Sequence, residues 1–252
     1  MTTIIGHILG VGIGLSLGLI GGGGAILAVP ILVYVMGIDS KTAIAMSLVI
    51  VGTVSIVGLI PHWRQGNVSF KIASFFIPTA MLGAYLGARL TALPMITDDL
   101  QLVCFGTIMA IASTLMIRKS GQPKHNQSLS TKGSQGVWAI PALGLGVGIL
   151  TGFVGVGGGF LIIPALVLLG GIPMKQAIGT SLVIIAANSA SGFLGYVSQV
   201  NINWGLVGSF TLAASAGTWL GAYLTKYLDA KRLQTGFGYF VLAVAVFVLI
   251  KR

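Results

Sequence analysis

A shift of 134 positions lays residues 10–88 of the chain on residues 144–222. Under that shift Gly12-Ile13-Gly14, Gly18, Gly21, Gly23-Gly24 and Pro30 fall on Gly146-Val147-Gly148, Gly152, Gly155, Gly157-Gly158 and Pro164. The register holds well past the glycines, pairing Lys41 with Lys175, Ser47-Leu48-Val49-Ile50 with Ser181-Leu182-Val183-Ile184, and Gln65 and Asn67 with Gln199 and Asn201. The chain is an internal duplication. In an apolar sequence, two related halves that each carry a glycine-interrupted segment point to a transporter-type site at the interface between the repeats.

Hydrophobic residues make up 55% of the chain and charged residues 7%, against about 25% charged in a soluble domain. Apolar runs at 3–36, 41–60, 71–91, 99–117, 137–170, 175–196, 204–225 and 233–250 mostly reach the ~20 residues needed to cross the hydrocarbon core. The expected fold is all-α, a polytopic helical bundle of eight hydrophobic segments. Lipid offers no partner to an open sheet edge, and the runs lack the alternation of an outer-membrane barrel. Repeat 1 spans 1–117 and repeat 2 spans 137–252. The hydrophilic stretch 118–136, rich in Lys, Ser, Gln and Gly, reads as a flexible linker between them. Met1 to His7 holds no basic residue and leads straight into the repeat, so it is expected to stay in the fold and not to be removed as a signal peptide.

The net charge of +10 does not indicate nucleic acid, because the basic residues sit at the ends of apolar runs, where cytoplasmic Lys and Arg fix orientation. The single cysteine, Cys104, excludes an intrachain disulfide. His7, His62 and His125 are not spaced as metal ligands, there is no Glu, and the four Asp lie at segment ends. No cofactor, metal or catalytic centre is expected. A proton-coupled carrier usually places Asp, Glu or His within the membrane, and of such residues only His7 lies well inside an apolar run.

The opening run of each half is too long for one straight crossing: ~34 residues would make a helix of ~50 Å across a core of ~30 Å. Gly21–Gly24 and Gly155–Gly159 interrupt these runs, and an interior glycine costs a helix ~1 kcal/mol relative to Ala, so the helix is expected to break there. If each opening run nevertheless crosses once, the basic residues divide eight against six between the two sides. If each run turns back on itself, Arg64, Lys71, Arg118, Lys119, Lys124, Lys132, Lys175, Lys226, Lys231 and Arg232 share one side, and the division becomes ten against four. The positive-inside rule selects the second arrangement, with a cytoplasmic linker and both termini outside. The halves are then inverted repeats about an axis in the membrane plane.

The glycine clusters are the first candidate site. A broken helix in lipid must direct its unsatisfied backbone groups at protein or a wet cavity, and a helix N-terminus exposed at a break favours an anion. Gly21, Gly22, Gly23, Gly24, Gly155, Gly157, Gly158 and Gly159 are the substrate-binding candidates. Scattered glycines such as Gly83, Gly87, Gly217 and Gly221 read instead as close helix packing. Ser47, Thr180, Ser181 and Asn188, on the second segment of each half, join the substrate-binding set. Asn188 stands out because its counterpart, Val54, is apolar. Arg64, Gln65 and Gln199, at the ends of those segments, are candidates for gating or access.

The repeated signature, Gly18-Leu19-Ile20-Gly21-Gly22-Gly23-Gly24 to Pro30 and Gly152-Phe153-Val154-Gly155-Val156-Gly157-Gly158-Gly159 to Pro164, resembles that of the TauE/SafE family of membrane permeases, also described as sulfite exporters. Length, segment number, duplication and central linker resemble the family over essentially the whole chain. The resemblance implies movement of a small sulfur-containing anion, such as sulfite or an organosulfonate, across the bacterial inner membrane. The expected partners are that anion and the lipid bilayer, with a homo-oligomer also compatible. Residue by residue, only the two glycine motifs carry over. A carrier, an anion channel with a fixed filter, and a non-transporting scaffold are the three readings to separate.

Overall fold

The computed structural model describes residues 2–90, 98–121, 139–154, 159–196 and 200–250, and every element in them is helical. In chain order these are α1 (Thr2–Ile20), α2 (Gly23–Pro30) with a π-helical turn at Ile31–Val35, α3 (Ser40–Arg64), α4 (Phe70–Leu90) and α5 (Asp98–Gly121). The second half gives α6 (Ala139–Val154), α7 (Gly159–Pro164) with a π-helical turn at Ala165–Leu169, α8 (Met174–Tyr196), α9 (Trp204–Thr225) and α10 (Ala230–Ile250). Eight apolar runs thus become ten α-helices among the described residues: the first opening run holds α1 and α2, and the second holds α6 and α7 on either side of 155–158, which lie outside the described residues. Helix α5 continues to Gly121, into the stretch read as linker; 122–138 lies outside the described residues. Among the described residues, Thr42–Arg64, Phe70–Gly87 and Met174–Leu194 are the helices both long and apolar enough to cross a membrane.

The cut in the first run is a reversal. Gly21 has φ +73°, and its N–H donates to the Leu17 carbonyl at 2.7 Å, closing α1. Helix α2 then returns along α1: a Cβ on Gly24 would overlap the Ile13 carbonyl and press on Leu17, and Gly6 abuts the Met36 sulfur. The first opening run is a helical hairpin with its tip at Gly21-Gly22. Pro30 and Pro164 end α2 and α7, since proline has no N–H to give to the preceding turn. The ladder widens behind both: Met36 N–H donates to Ile31 and Gly170 N–H to Ala165. Both segments close with the same left-handed glycine, Gly37 (φ +70°) and Gly171 (φ +65°), and with matching bonds from Ile38 to Leu32 and from Ile172 to Leu166. The duplication read in sequence therefore extends to backbone hydrogen bonding.

The two halves interlock. The most extensive helix contacts are α4 with α6 and α1 with α9, followed by α5 with α10 and α3 with α8. The first helix of each opening run, α1 or α6, therefore rests on a helix of the other repeat, and glycines make the approach. A Cβ on Gly14 would overlap the Ala214 carbonyl, and one on Gly217 the Val11 carbonyl. At the equivalent positions, Gly148 meets the Ala80 carbonyl and Gly83 meets that of Leu145. Without water to drive helices together, such close backbone approach is what holds apolar helices in lipid. Gly10, Gly14 and Gly18 meet Phe210, Ala214 and Thr218 in turn, so α1 and α9 run parallel. Helices α3 and α8 run antiparallel: Leu48 meets Gly192, Gly52 meets Ser189 and Gly58 meets Leu182. Their shared seam is the core, with Met46, Ile50, Ile178, Leu182 and Ile185 buried beside Leu17, Leu32, Ile162 and Ile163.

Candidate functional site

The break after Ile20 frees the last carbonyls of α1, which need partners from elsewhere. Gly18 finds two. His62 Nε2 lies 2.9 Å from its oxygen, and Thr225 Oγ1 lies 3.3 Å from it, a hydroxyl that Thr225 shares with the Gly221 carbonyl at 3.0 Å. One oxygen therefore joins α1 and α3 of the first repeat to α9 of the second. Next to it, Gln65 Nε2 donates to the Ala222 carbonyl at 3.3 Å, and Gln65 Oε1 accepts from Asn67 Nδ2 at 3.3 Å. The hairpin tip itself presses on the second repeat: a Cβ on Gly21 would stand 2.7 Å from Ser181 Oγ and 2.8 Å from Ile163 Cδ1. Gly22 caps α2 with ordinary right-handed angles, and no side chain bonds to the amides that follow.

The sequence candidates separate accordingly. Gly21, Gly22 and Gly23 form the tip and the first turn of α2, and Ser181 faces that tip. Gly24 has a packing duty instead, letting α2 close on α1. Ser47 and Ser181 both donate back into their own helices, to Ile44 at 2.7 Å and Ile178 at 2.8 Å. Thr180 accepts the Ser69 N–H at 3.0 Å and so holds the corner between α3 and α4. Asn188 is part-buried on α8, one residue from the Gly52–Ser189 contact, and its Oδ1 is buried with no hydrogen-bond partner. Gly159 opens α7. Gly155, Gly157, Gly158 and Gln199 lie outside the described residues.

Sequence reading missed His62. Pro61 looked like the end of an apolar run, whereas α3 continues through it to Arg64. His62 is 0% exposed, while His7 is partly buried with its ring tilted against Phe210. The histidine bound at the helix break is therefore His62.

Outside this network lies a cleft of about 210 Å³ lined by Pro61, Arg64, Gln65, Trp219, Tyr223 and Lys226. Arg64 comes from the first repeat and Lys226 from the second, and no acidic residue lines the cleft. Asp229, just beyond Lys226 in sequence, pairs instead with Arg232, 3.9 Å apart and exposed. The cleft suits an anion approaching from that end of the bundle. The aromatic rings of Trp219 and Tyr223 are exposed at its wall, as amphipathic rings at a membrane interface commonly are.

The profile of the family described as sulfite exporter TauE/SafE matches residues 7–248. A probable membrane transporter protein of Xylella fastidiosa is 34% identical over 94% of this chain and 91% of its own length. The probable membrane transporter proteins YdhB and YunE of Bacillus subtilis are 26% and 27% identical, over 88% and 93% of this chain and 90% and 91% of theirs. No solved structure matches the chain. With a glycine-broken hairpin, apolar spans and near full-length agreement, this integral membrane protein belongs to the sulfite exporter TauE/SafE family of membrane transporters.

Proposed function

We propose that the protein is a secondary carrier or facilitator for a small sulfur-containing anion, such as sulfite or an organosulfonate, in the bacterial inner membrane. The observation that carries this reading is the hairpin tip. It presents uncapped amides at the start of α2 within the bundle, against a serine of the other repeat. Free N–H groups and the helix dipole at such an end favour negative charge. The acid-free cleft of Arg64 and Lys226 provides the approach, and the family description agrees with the ligand class.

The inverted-repeat arrangement is part of this proposal. Equivalent helices α3 and α8 pack antiparallel, as they must if a pseudo-twofold axis lies across them. The single-crossing arrangement would put Arg64 and Lys226 on opposite faces, whereas here they share one cleft. The interlock also changes which bodies would move in alternating access. With α1 on α9 and α4 on α6, the units are mixed pairs and not whole repeats.

The test is flux in proteoliposomes loaded with sulfite, sulfoacetate, sulfate or a carboxylate control, at imposed potentials. Saturable sulfur-anion flux with counterflow is expected. Ohmic conductance above carrier turnover would identify a channel instead, and absence of flux would leave the scaffold reading. For orientation, alkaline phosphatase fused after Arg252 is expected to be active in the periplasm. An inactive fusion that expresses well would remove the inverted arrangement.

A further inference from the structure

The geometry points to His62 as a proton-binding site coupled to the anion, which makes the protein an anion–proton cotransporter. This rests on the carrier reading above and names its coupling ion. A carbonyl can only accept, so the 2.9 Å contact with Gly18 puts the hydrogen on His62 Nε2. Nδ1 of the neutral ring then carries a bare lone pair, and it is buried with no hydrogen-bond partner. Buried polar groups are nearly always paired, so the unoccupied acceptor is the place a proton enters. The ring sits at the C-terminal end of α1, where the helix dipole favours a cation, and the tip opposed to Ser181 begins three residues beyond Gly18.

The surroundings link the proton to the anion. The charged and titratable groups at this end are Arg64 on His62's own helix, Tyr223 and Lys226 on α9, Lys175 at the start of α8 and Lys71 at the start of α4; α1 brings none near Gly18. Asp229, just past α9, is exposed and engaged with Arg232. A proton entering this cationic end is opposed until an anion arrives, and an anion is held more tightly once the imidazolium forms. Such linkage is reciprocal, each ligand raising the other's affinity by the same factor. For a monovalent anion the step moves one anion and one proton together, without net charge. The equivalent position in the second repeat is Tyr196, so the two halves do not both carry the site.

Two measurements test this. In proteoliposomes with radiolabelled isethionate, a monoanionic organosulfonate, an inward gradient of one pH unit should drive about tenfold accumulation at one-to-one coupling. His62→Gln keeps an amide donor for Gly18 and removes the titrating nitrogen. It should lose the accumulation driven by the pH gradient. Accumulation by the variant, or counterflow without accumulation in the wild type, overturns the proposal. Absence of all flux in the wild type overturns the carrier reading and the proposal with it. The second measurement works without transport and without that variant. The chain has three histidines, so ring-labelled histidine gives a sparse NMR spectrum that can be assigned with His7→Gln and His125→Gln. The midpoint of the His62 titration should move upward on saturation with isethionate, and an unmoved midpoint overturns the coupling.

Discussion

Gly14→Ala is expected to lower the thermal midpoint of the detergent-solubilised protein by more than about 5 °C, whereas Gly12→Ala, two residues away, should leave it unchanged or raise it slightly. A Cβ at position 14 would overlap the Ala214 backbone carbonyl, an atom that cannot rotate away, so α1 and α9 would have to separate along their parallel seam. Forcing extra atoms into a packed interface costs about 1–3 kcal/mol, and for a chain of this size each kcal/mol moves the midpoint by ~2–4 °C. At position 12 nothing lies within 4 Å, and replacing a helical glycine there gains up to ~1 kcal/mol. The duplication supplies an internal replicate: Gly148→Ala meets the Ala80 carbonyl and should destabilise, while Gly146→Ala, with nothing within 4 Å, should not. Fluorescence-detected thermal unfolding in detergent reads all four variants. Equal effects at positions 12 and 14 would show that the α1–α9 seam is not held as described.

The contrast between these glycines also shows how far the sequence could be read. Repeated residues announced the matching backbone bonds of the two halves, and the glycine cluster at Gly21–Gly24 announced the first hairpin, because both are local patterns with a direct backbone consequence. Gly83, Gly217 and Gly221 were legible as packing residues, and each meets a carbonyl of a neighbouring helix. Which helix each would meet was not legible. Small-residue faces on α1, α4, α6 and α9 are mutually compatible, and only the assembled bundle selects the exchange that places α1 on α9 and α6 on α4. The same limit applied to single side chains. Thr180, a substrate-binding candidate in sequence, accepts the Ser69 amide from a corner distant in sequence, a contact that no local pattern announced. His62 was hidden by Pro61, whose helix-breaking tendency α3 overrides. The widened turns after Pro30 and Pro164 had no signature beyond proline itself, which is equally consistent with a kink or an end.

Gly21→Ala is expected to reduce anion flux per folded molecule by more than about tenfold, a loss that Gly37→Ala should not share. Both glycines hold left-handed angles, φ +73° and φ +70°, and an L-residue there pays roughly 1–2 kcal/mol in either case. They differ in what lies beside them. Position 37 has nothing within 4 Å, so its substitution isolates the backbone penalty. Position 21 sets a Cβ 2.7 Å from Ser181 Oγ and 2.8 Å from Ile163 Cδ1, so its substitution also displaces the hairpin tip from the second repeat. Shifting the amides of a binding site by a fraction of an ångström weakens every hydrogen bond they make, and about 1.4 kcal/mol lost at the rate-limiting step is tenfold in rate. Ser181→Gly should restore part of the flux to Gly21→Ala, because it removes the hydroxyl that the new Cβ strikes, and the double-mutant cycle measures that coupling. If Gly21→Ala moves anion as well as Gly37→Ala at matched folded protein, the tip is a turn and nothing more, and the binding site must be sought elsewhere along the α3–α8 seam, beginning with the unpartnered carbonyl of Asn188.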